Sequence, residues 1–234
     1  MKLVKNAFIF TAAASAIALA PLATAYEAGD VALRLGVTQV APDASSDNVT
    51  LDGSTLSLAG GTSQVDVDSN TQLGLTLEYF VTDAIGVELL AATPFEHTAE
   101  GKGELAGLDI TDAKQLPPTL SLVYHFGGLG QIEPYVGVGL NYTVFFDEDI
   151  TGQADTTLSS LGLTGADVSL EESFGYAVQA GVDFHLDEKW FINASVRYID
   201  ISTTADIDFD NGSTISVDVD IDPFVYSLFA GYRF

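Results

Sequence analysis

From Phe224 to Phe234 every second residue is apolar: Phe224, Tyr226, Leu228, Ala230, Tyr232 and Phe234. The residues between them, Ser227, Gly231 and Arg233 among them, are mostly small or polar. Side chains alternate across a strand, so this segment predicts a strand with one apolar face and one mixed face. An apolar face of that kind, carried to the last residue, suits a strand set against lipid in an outer-membrane barrel. The same period of two recurs along the chain. It predicts eight strands, at roughly 30–40, 71–82, 85–97, 116–126, 133–146, 173–186, 189–205 and 216–234. Short connections fall at Thr82 to Ala84, Gly127 to Gly130 and Asp187 to Lys189. Long ones cover about 41–70, 98–115, 147–172 and 206–215, the pattern of short periplasmic turns and long outer loops. The expected fold is all-β: a transmembrane, eight-stranded, antiparallel up-and-down barrel.

The first 25 residues stand apart. Lys2 and Lys5 precede an apolar run from Phe8 to Ala20, and Ala23-Thr24-Ala25 is an A-x-A cleavage site. This is the pattern of a secretory signal peptide cut before Tyr26, leaving 26–234 as one barrel domain. Beyond Tyr26 no apolar run is long enough for a membrane helix. With no cysteine, disulfide and thiol chemistry are excluded.

Lys2 and Lys5 are two of the eight basic residues, so six face 33 acidic ones in the rest of the chain. Phosphate recognition needs a basic surface, which argues against a nucleic-acid partner. The acid concentrates in the long segments, hence at the outer rim. The outward positions carry no charge, as Leu73, Leu75, Leu77, Leu120, Leu122, Val136 and Val138 illustrate. Aromatic residues near the strand ends, Tyr79, Trp190 and Tyr232 on one side and Phe174, Tyr176 and Phe224 on the other, predict two interfacial girdles. The expected location is the bacterial outer membrane, in contact with its lipid and lipopolysaccharide. Phe234 is the expected signal to the barrel-assembly machinery, and a monomer is expected.

Inward positions divide by depth. Arg34, Glu78, Glu88, Asp183 and Arg233 fall in the periplasmic half and predict an ion-paired floor, with Arg197 also inward but higher. A floor of this kind closes the pore, or merely satisfies its own charges, and both readings stand. Toward the loops, Leu90, Ala92, Pro94, Val123, Phe145, Ala177, Val225 and Phe229 predict an apolar funnel. The alternative is the filled core of a structural barrel. Pro94, Pro117, Pro118 and Pro223 lie near strand ends, where missing N–H groups weaken pairing or simply end the strands.

Several segments resemble a known family. They are Asn70 to Thr76, Ile85 to Phe95, Leu116 to Thr119, Pro134 to Gly139, Asn141-Tyr142, Asp200 to Thr204 and Ala230 to Phe234. Across essentially all of 26–234 the chain resembles the OmpW family of small outer-membrane proteins, to which the alkane-uptake protein AlkL is related. The resemblance implies an eight-stranded barrel with a hydrophobic channel for small hydrophobic molecules. It also implies a narrow point between an inward leucine, matched by Leu90, and an inward aromatic on the seventh barrel strand. Arg197 stands at the aromatic's place, which implies a more polar gate or one narrowed by a carboxylate pair. A second function class stays open: a structural or adhesive surface barrel whose acidic loops bind cations, envelope components or phage.

Around Asn211-Gly212 the aspartates Asp206, Asp208, Asp210, Asp218, Asp220 and Asp222 alternate with apolar residues. The barrel faces require odd positions to pair with odd ones, which predicts a three-residue turn or a bulge. All six aspartates then lie outside and the Ile, Phe and Val residues inside, a wall above the membrane that extends the funnel. Asp206, Asp208 and Asp210 are weak candidates for a calcium site, because Gly212 falls one place late and no Glu stands at the twelfth position. No cofactor is expected. A catalytic reading would need Ser121, His125 or His185, and Asp183 to meet. The three histidines are scattered over three strands, and no enzyme is expected.

Overall fold

The computed structural model describes residues 26–56, 61–127 and 129–234. The expected signal peptide, 1–25, lies outside the described residues. In chain order the strands are β1 (Val31–Ala41), β2 (Ser45–Ser46), β3 (Thr50–Leu51), β4 (Ser54–Thr55), β5 (Ser63–Val67), β6 (Asn70–Thr82), β7 (Ile85–Ala92), β8 (Phe95–Gly103), β9 (Asp109–Leu116), β10 (Thr119–His125), β11 (Ile132–Ile150), β12 (Asp167–Leu170), β13 (Ser173–His185), β14 (Trp190–Ile199), β15 (Ser202–Asp208), β16 (Thr214–Asp220) and β17 (Phe224–Arg233). A helix, α1 (Gly152–Ser160), precedes β12.

Eight of these strands close into a barrel in the order β1-β6-β7-β10-β11-β13-β14-β17, with β17 returning to β1 and every neighbour antiparallel. Closure leaves no free edge in the bilayer, the one way a sheet can satisfy its backbone there. Alternation holds around the wall. Leu73, Leu120, Val138 and Leu228 are exposed on its outside, while Arg34, Thr76, Glu88 and Asn193 are buried inside. The expected girdles form contacting rings. Trp190 packs edge-on to Tyr232 and Tyr232 to Phe234, with centroids 4.9 and 4.8 Å apart. At the other end Tyr198 meets Tyr176 at 6.0 Å and Phe224 at 5.7 Å.

Apart from the hairpin around Asn211-Gly212, which was expected to pair, the long connections are not the open loops the sequence suggested. β11 has 19 residues, about twice what a strand needs to cross a bilayer. Its lower part pairs with β10 and β13, and its upper part, from Val144 to Ile150, pairs with β9. β8 and β5 extend that sheet. A second sheet, β12-β15-β16-β3-β4 with β2 also on β16, stands across from it. The two sheets bury a common apolar core that includes Val49, Val65, Val168, Ile207, Ile215 and Val217. Period-two alternation continues in these strands, but charged outer faces disguise it as loop.

The hairpin of β15 and β16 pairs odd with odd, Ile207 with Ile215 and Thr203 with Val219. Phe209 N–H bonds to Ser213 O at 3.1 Å and Gly212 N–H to Phe209 O at 2.9 Å. The turn is therefore the three residues Asp210 to Gly212. Gly212 takes φ +83°, the left-handed position that closes such a turn.

Candidate functional site: a charged floor below an apolar vault

Arg34 organises the floor. It is fully buried on β1, and its guanidinium meets Glu78 at 2.8 Å, Asp183 at 2.8 Å and Glu88 at 3.2 Å. A planar guanidinium presents five donors in a fixed fork, so it can serve three carboxylates at once. Glu88 also accepts from Gln179 Nε2 at 3.0 Å and from Arg197 Nη2 at 2.7 Å. Arg197 points inward, meets this carboxylate and contacts Gln179. It thus belongs to the floor's network, not to a separate gate higher up.

Arg233 is placed differently from the sequence expectation. It lies at the periplasmic rim, 3.6 Å from Asp30, and is partly exposed. Glu133, which the sequence reading left out, takes its place in the buried network. Its Oε2 lies 2.8 Å from His185 Nε2, and His125 Nε2 lies 2.8 Å from Glu78 Oε1. Asp183 is held by Arg34, by Asn193 Nδ2 at 2.7 Å and by the Tyr26 hydroxyl at 2.9 Å. The Ser121, histidine and Asp183 grouping needed for catalysis is therefore not assembled. Ser121 Oγ is buried without a hydrogen-bond partner among the described residues.

Aromatic rings fill what the ion pairs leave. Tyr26 stacks on Phe80 with centroids 4.0 Å apart and meets His125, His185 and Phe191 edge-on. Arg34 lies over Phe191 and Tyr135, 5.3 and 5.6 Å from the ring centres. These rings need bare backbone beneath them. A Cβ on Gly231 would strike the Phe191 ring, and one on Gly181 the Tyr135 ring. No signal in the alternation marks Tyr26, since it precedes β1.

Above the floor, Leu90, Ala177 and Val225 are buried, and Ala92 and Phe145 pack partly buried against the upper core. One funnel candidate lies lower: Val123 pairs with Gly86, beside the periplasmic turn. Phe229 is buried, with its ring over Gly36 and Gly74, and Gly74 pairs with Ala92. Pro94 is exposed and lines nothing inside. The open space is higher, between the two extramembrane sheets. It is a cavity of about 130 Å³ lined by Val65, Ile110, Phe145, Ile207, Val217 and Ile221 among others. Ala154 and Leu158 of α1 also face it, four residues apart on one side of the helix. Thr151 caps that helix by accepting from Ala154 N–H at 3.1 Å. Gln115 and His97 supply polar lining.

The wall beside this vault is interrupted. β7 and β10 pair up to Leu90 with Thr119. Pairing resumes between β8 and β9 at Phe95 with Gln115. Between these points Ala91 to Pro94 face Leu116 to Pro118 with no ladder. Ala91 and Ala92 pair with β6 on their other side, and Pro118 O accepts from Tyr142 N–H at 3.2 Å on its own other side. Three prolines within this seam lack the N–H groups that would close it.

Asp206, Asp208 and Asp210 do not converge on a point. Among the described residues no group of three or more carboxylates, histidines or cysteines could hold a metal ion. Asp208 instead accepts from Thr214 Oγ1 at 2.6 Å. The outward placement expected for the aspartates holds for Asp208, Asp210, Asp218 and Asp220, which are exposed, while Asp206 and Asp222 are half-buried.

A closed eight-stranded barrel with an apolar lipid face defines the class: a small outer-membrane β-barrel protein. The OmpW family model matches residues 27–234, and the chain belongs to that family. It is 43% identical to outer membrane protein W of Vibrio cholerae, over 94% of this chain and 95% of that one. The crystal structure of the outer membrane protein OprG from Pseudomonas aeruginosa superposes with a TM-score of 0.78 at 41% identity, covering 90% of this chain and 98% of that one. Outer membrane protein AlkL of Ectopseudomonas oleovorans is 30% identical, over 76% of this chain and 74% of that one. The protein is thus an outer-membrane barrel of the bacterial cell envelope.

Proposed function

We propose that this barrel admits small hydrophobic molecules from the outer face into the apolar vault and releases them sideways into the bilayer. The observation that carries the reading is the unpaired seam between Ala91 to Pro94 and Leu116 to Pro118 beside the vault, set above a buried ion-pair network. An apolar solute gains nothing by crossing buried charges, whereas the seam leads toward lipid. Leu90, Ala92, Ala177 and Val225 form the neck between the two, and Arg34, Glu78, Glu88, Asp183 and Arg197 close the way down. The 30% identity to AlkL supports the solute class that the sequence resemblance implies.

The test is uptake of a labelled hydrocarbon by cells with and without the protein. Replacing Pro117 and Pro118 by alanine restores two N–H groups and should slow uptake by tightening the seam. Unchanged uptake in this folded variant would rule out the sideways route. The exposed aspartates Asp208, Asp218 and Asp220 favour a second role, as a cation-binding or adhesive surface. Uptake that does not depend on the protein at all would leave that role as the better reading.

A further inference from the structure

His97 is the one ionisable side chain in the lining of the vault among the described residues. It projects from β8 and is buried, at 7% exposure. Its Nδ1 lies 2.7 Å from Asp68 O, and its Nε2 lies 3.0 Å from Gln115 Nε2. A backbone carbonyl only accepts, so Nδ1 carries a proton. An amide nitrogen only donates, so the ring's Nε2 is bare and the ring is neutral. A second proton has no place until the Gln115 amide turns over. The nearby charges stand outside the vault. Asp68 Oδ1, from the connection between β5 and β6, lies 3.5 Å from Nδ1 and accepts from Thr98 N–H at 2.8 Å. On β9 the ladder partner of His97 is Ala113, and the flanking Asp112 and Lys114 turn to the other face, toward Thr98 and Asp147. Asp66 of β5 pairs with Lys102. The opposite sheet presents Thr203, Val217 and Val219, none of them charged. Burial outweighs the Asp68 carbonyl and carboxylate and holds the His97 pKa below its ordinary value.

We infer that the vault is a proton-linked site, which holds apolar solutes while His97 is neutral and gives them up when His97 takes a second proton. The inference rests on the channel reading above and adds its regulation. The cavity, about 130 Å³, is close in size to an engineered apolar cavity of about 150 Å³ that takes up benzene. A cation in its wall draws water in, because a buried charge without water or a full counter-charge is costly. An apolar solute must then strip that water and offers the charge nothing in return. The effect needs no contact between the solute and the ring nitrogens. Linkage is reciprocal, so a solute in the vault makes the second proton harder to add by the same factor.

Cyclohexane suits the test, since it is close to benzene in size and has no π face to attract a cation. It is titrated into the protein in lipid nanodiscs at a series of values from pH 7 down to pH 4, with binding corrected for partition into empty nanodiscs. Affinity should fall by about fivefold or more across the series, the lower end of ordinary coupling between two sites. The ring nitrogen resonances of His97 should titrate at lower pH with cyclohexane bound than without it, by a matching factor. His97→Gln keeps a polar group that cannot charge, so its affinity should stay level while the rim carboxylates still titrate. A pH dependence kept by this variant would assign the effect to those carboxylates and overturn the inference. If the variant fails to fold, the wild-type resonances decide, and a His97 titration unmoved by cyclohexane overturns it. Wild-type affinity that is level from pH 7 to pH 4 overturns it as well and leaves the channel reading standing, since hydrocarbon uptake by cells tests that reading. Absence of binding at every pH removes the vault from both.

Discussion

Arg34 and Asp183 meet across the lumen, Nη2 to Oδ2 at 2.8 Å, with both side chains fully buried. They are 149 residues apart in the chain and join β1 to β13 through the middle of the barrel. Arg34 also neutralises Glu78 and Glu88, so its loss leaves buried carboxylates short of a cation. Arg34→Met should cost about 3–5 kcal/mol, the usual penalty for breaking a buried pair from one side. Urea unfolding in lipid vesicles measures this. Lys102→Met, which breaks an exposed pair with Asp66, is the control and should leave the midpoint where it is.

Tyr26, ahead of the first strand, stacks on Phe80 and donates to Asp183. Tyr26→Ala removes both contacts and should raise single-channel conductance for small ions in planar bilayers. Tyr26→Phe keeps the stack and loses one hydrogen bond, at a cost of about 1 kcal/mol, so conductance should stay at the wild-type level. Equal conductance in all three proteins would show that the ion pairs close the mouth unaided.

Arg197 shares Glu88 with Arg34 and Gln179. Because Glu88 keeps two other donors, Arg197→Trp should destabilise the barrel less than Arg34→Met does. With Arg197 in the floor and the seam above it, hydrocarbon uptake by the folded Trp variant should match the wild type. A marked rise in uptake would instead place Arg197 on the solute path.

His97 lies outside the membrane-spanning wall, and burial lowers its pKa from the ordinary 6.5. The folded extramembrane sheets therefore hold a neutral ring in a range where the unfolded segment is already protonated. The sign follows: stability is full above about pH 6.5 and falls as the pH drops from there toward the lowered folded pKa. Hydrogen exchange at β8 and β9, corrected for intrinsic rates, should show faster opening at pH 5 than at pH 7. His97→Gln should remove most of that difference.

The barrel wall was legible because lipid imposes a simple rule. A residue such as Val138 or Leu228 must be apolar on the outside, its neighbours need not be, and a period of two records that difference directly. The odd-with-odd pairing of Ile207 and Ile215 was legible for a related reason, since a one-residue slip would turn every aspartate inward. Arg34, Glu78, Glu88, Asp183 and Arg197 could all be assigned to the lumen by parity alone.

Parity says which way a side chain points and nothing about what it meets. Only the tertiary structure decided that Glu133 joins the floor while Arg233 stays at the rim with Asp30, because barrel curvature and side-chain length set those distances. Only the closed fold brought Tyr26, which precedes the first strand, onto Phe80 of β6. The vault was legible only in part. The hairpin around Asn211-Gly212 was readable as a wall, acidic outside and apolar within, but the acidic outer surfaces of the other strands read as loop. The sequence by itself determined the membrane barrel and its faces. The tertiary structure decided the partners of the buried charges and set Gln115 beside His97 in an apolar cavity, since those contacts join strands that no local period relates.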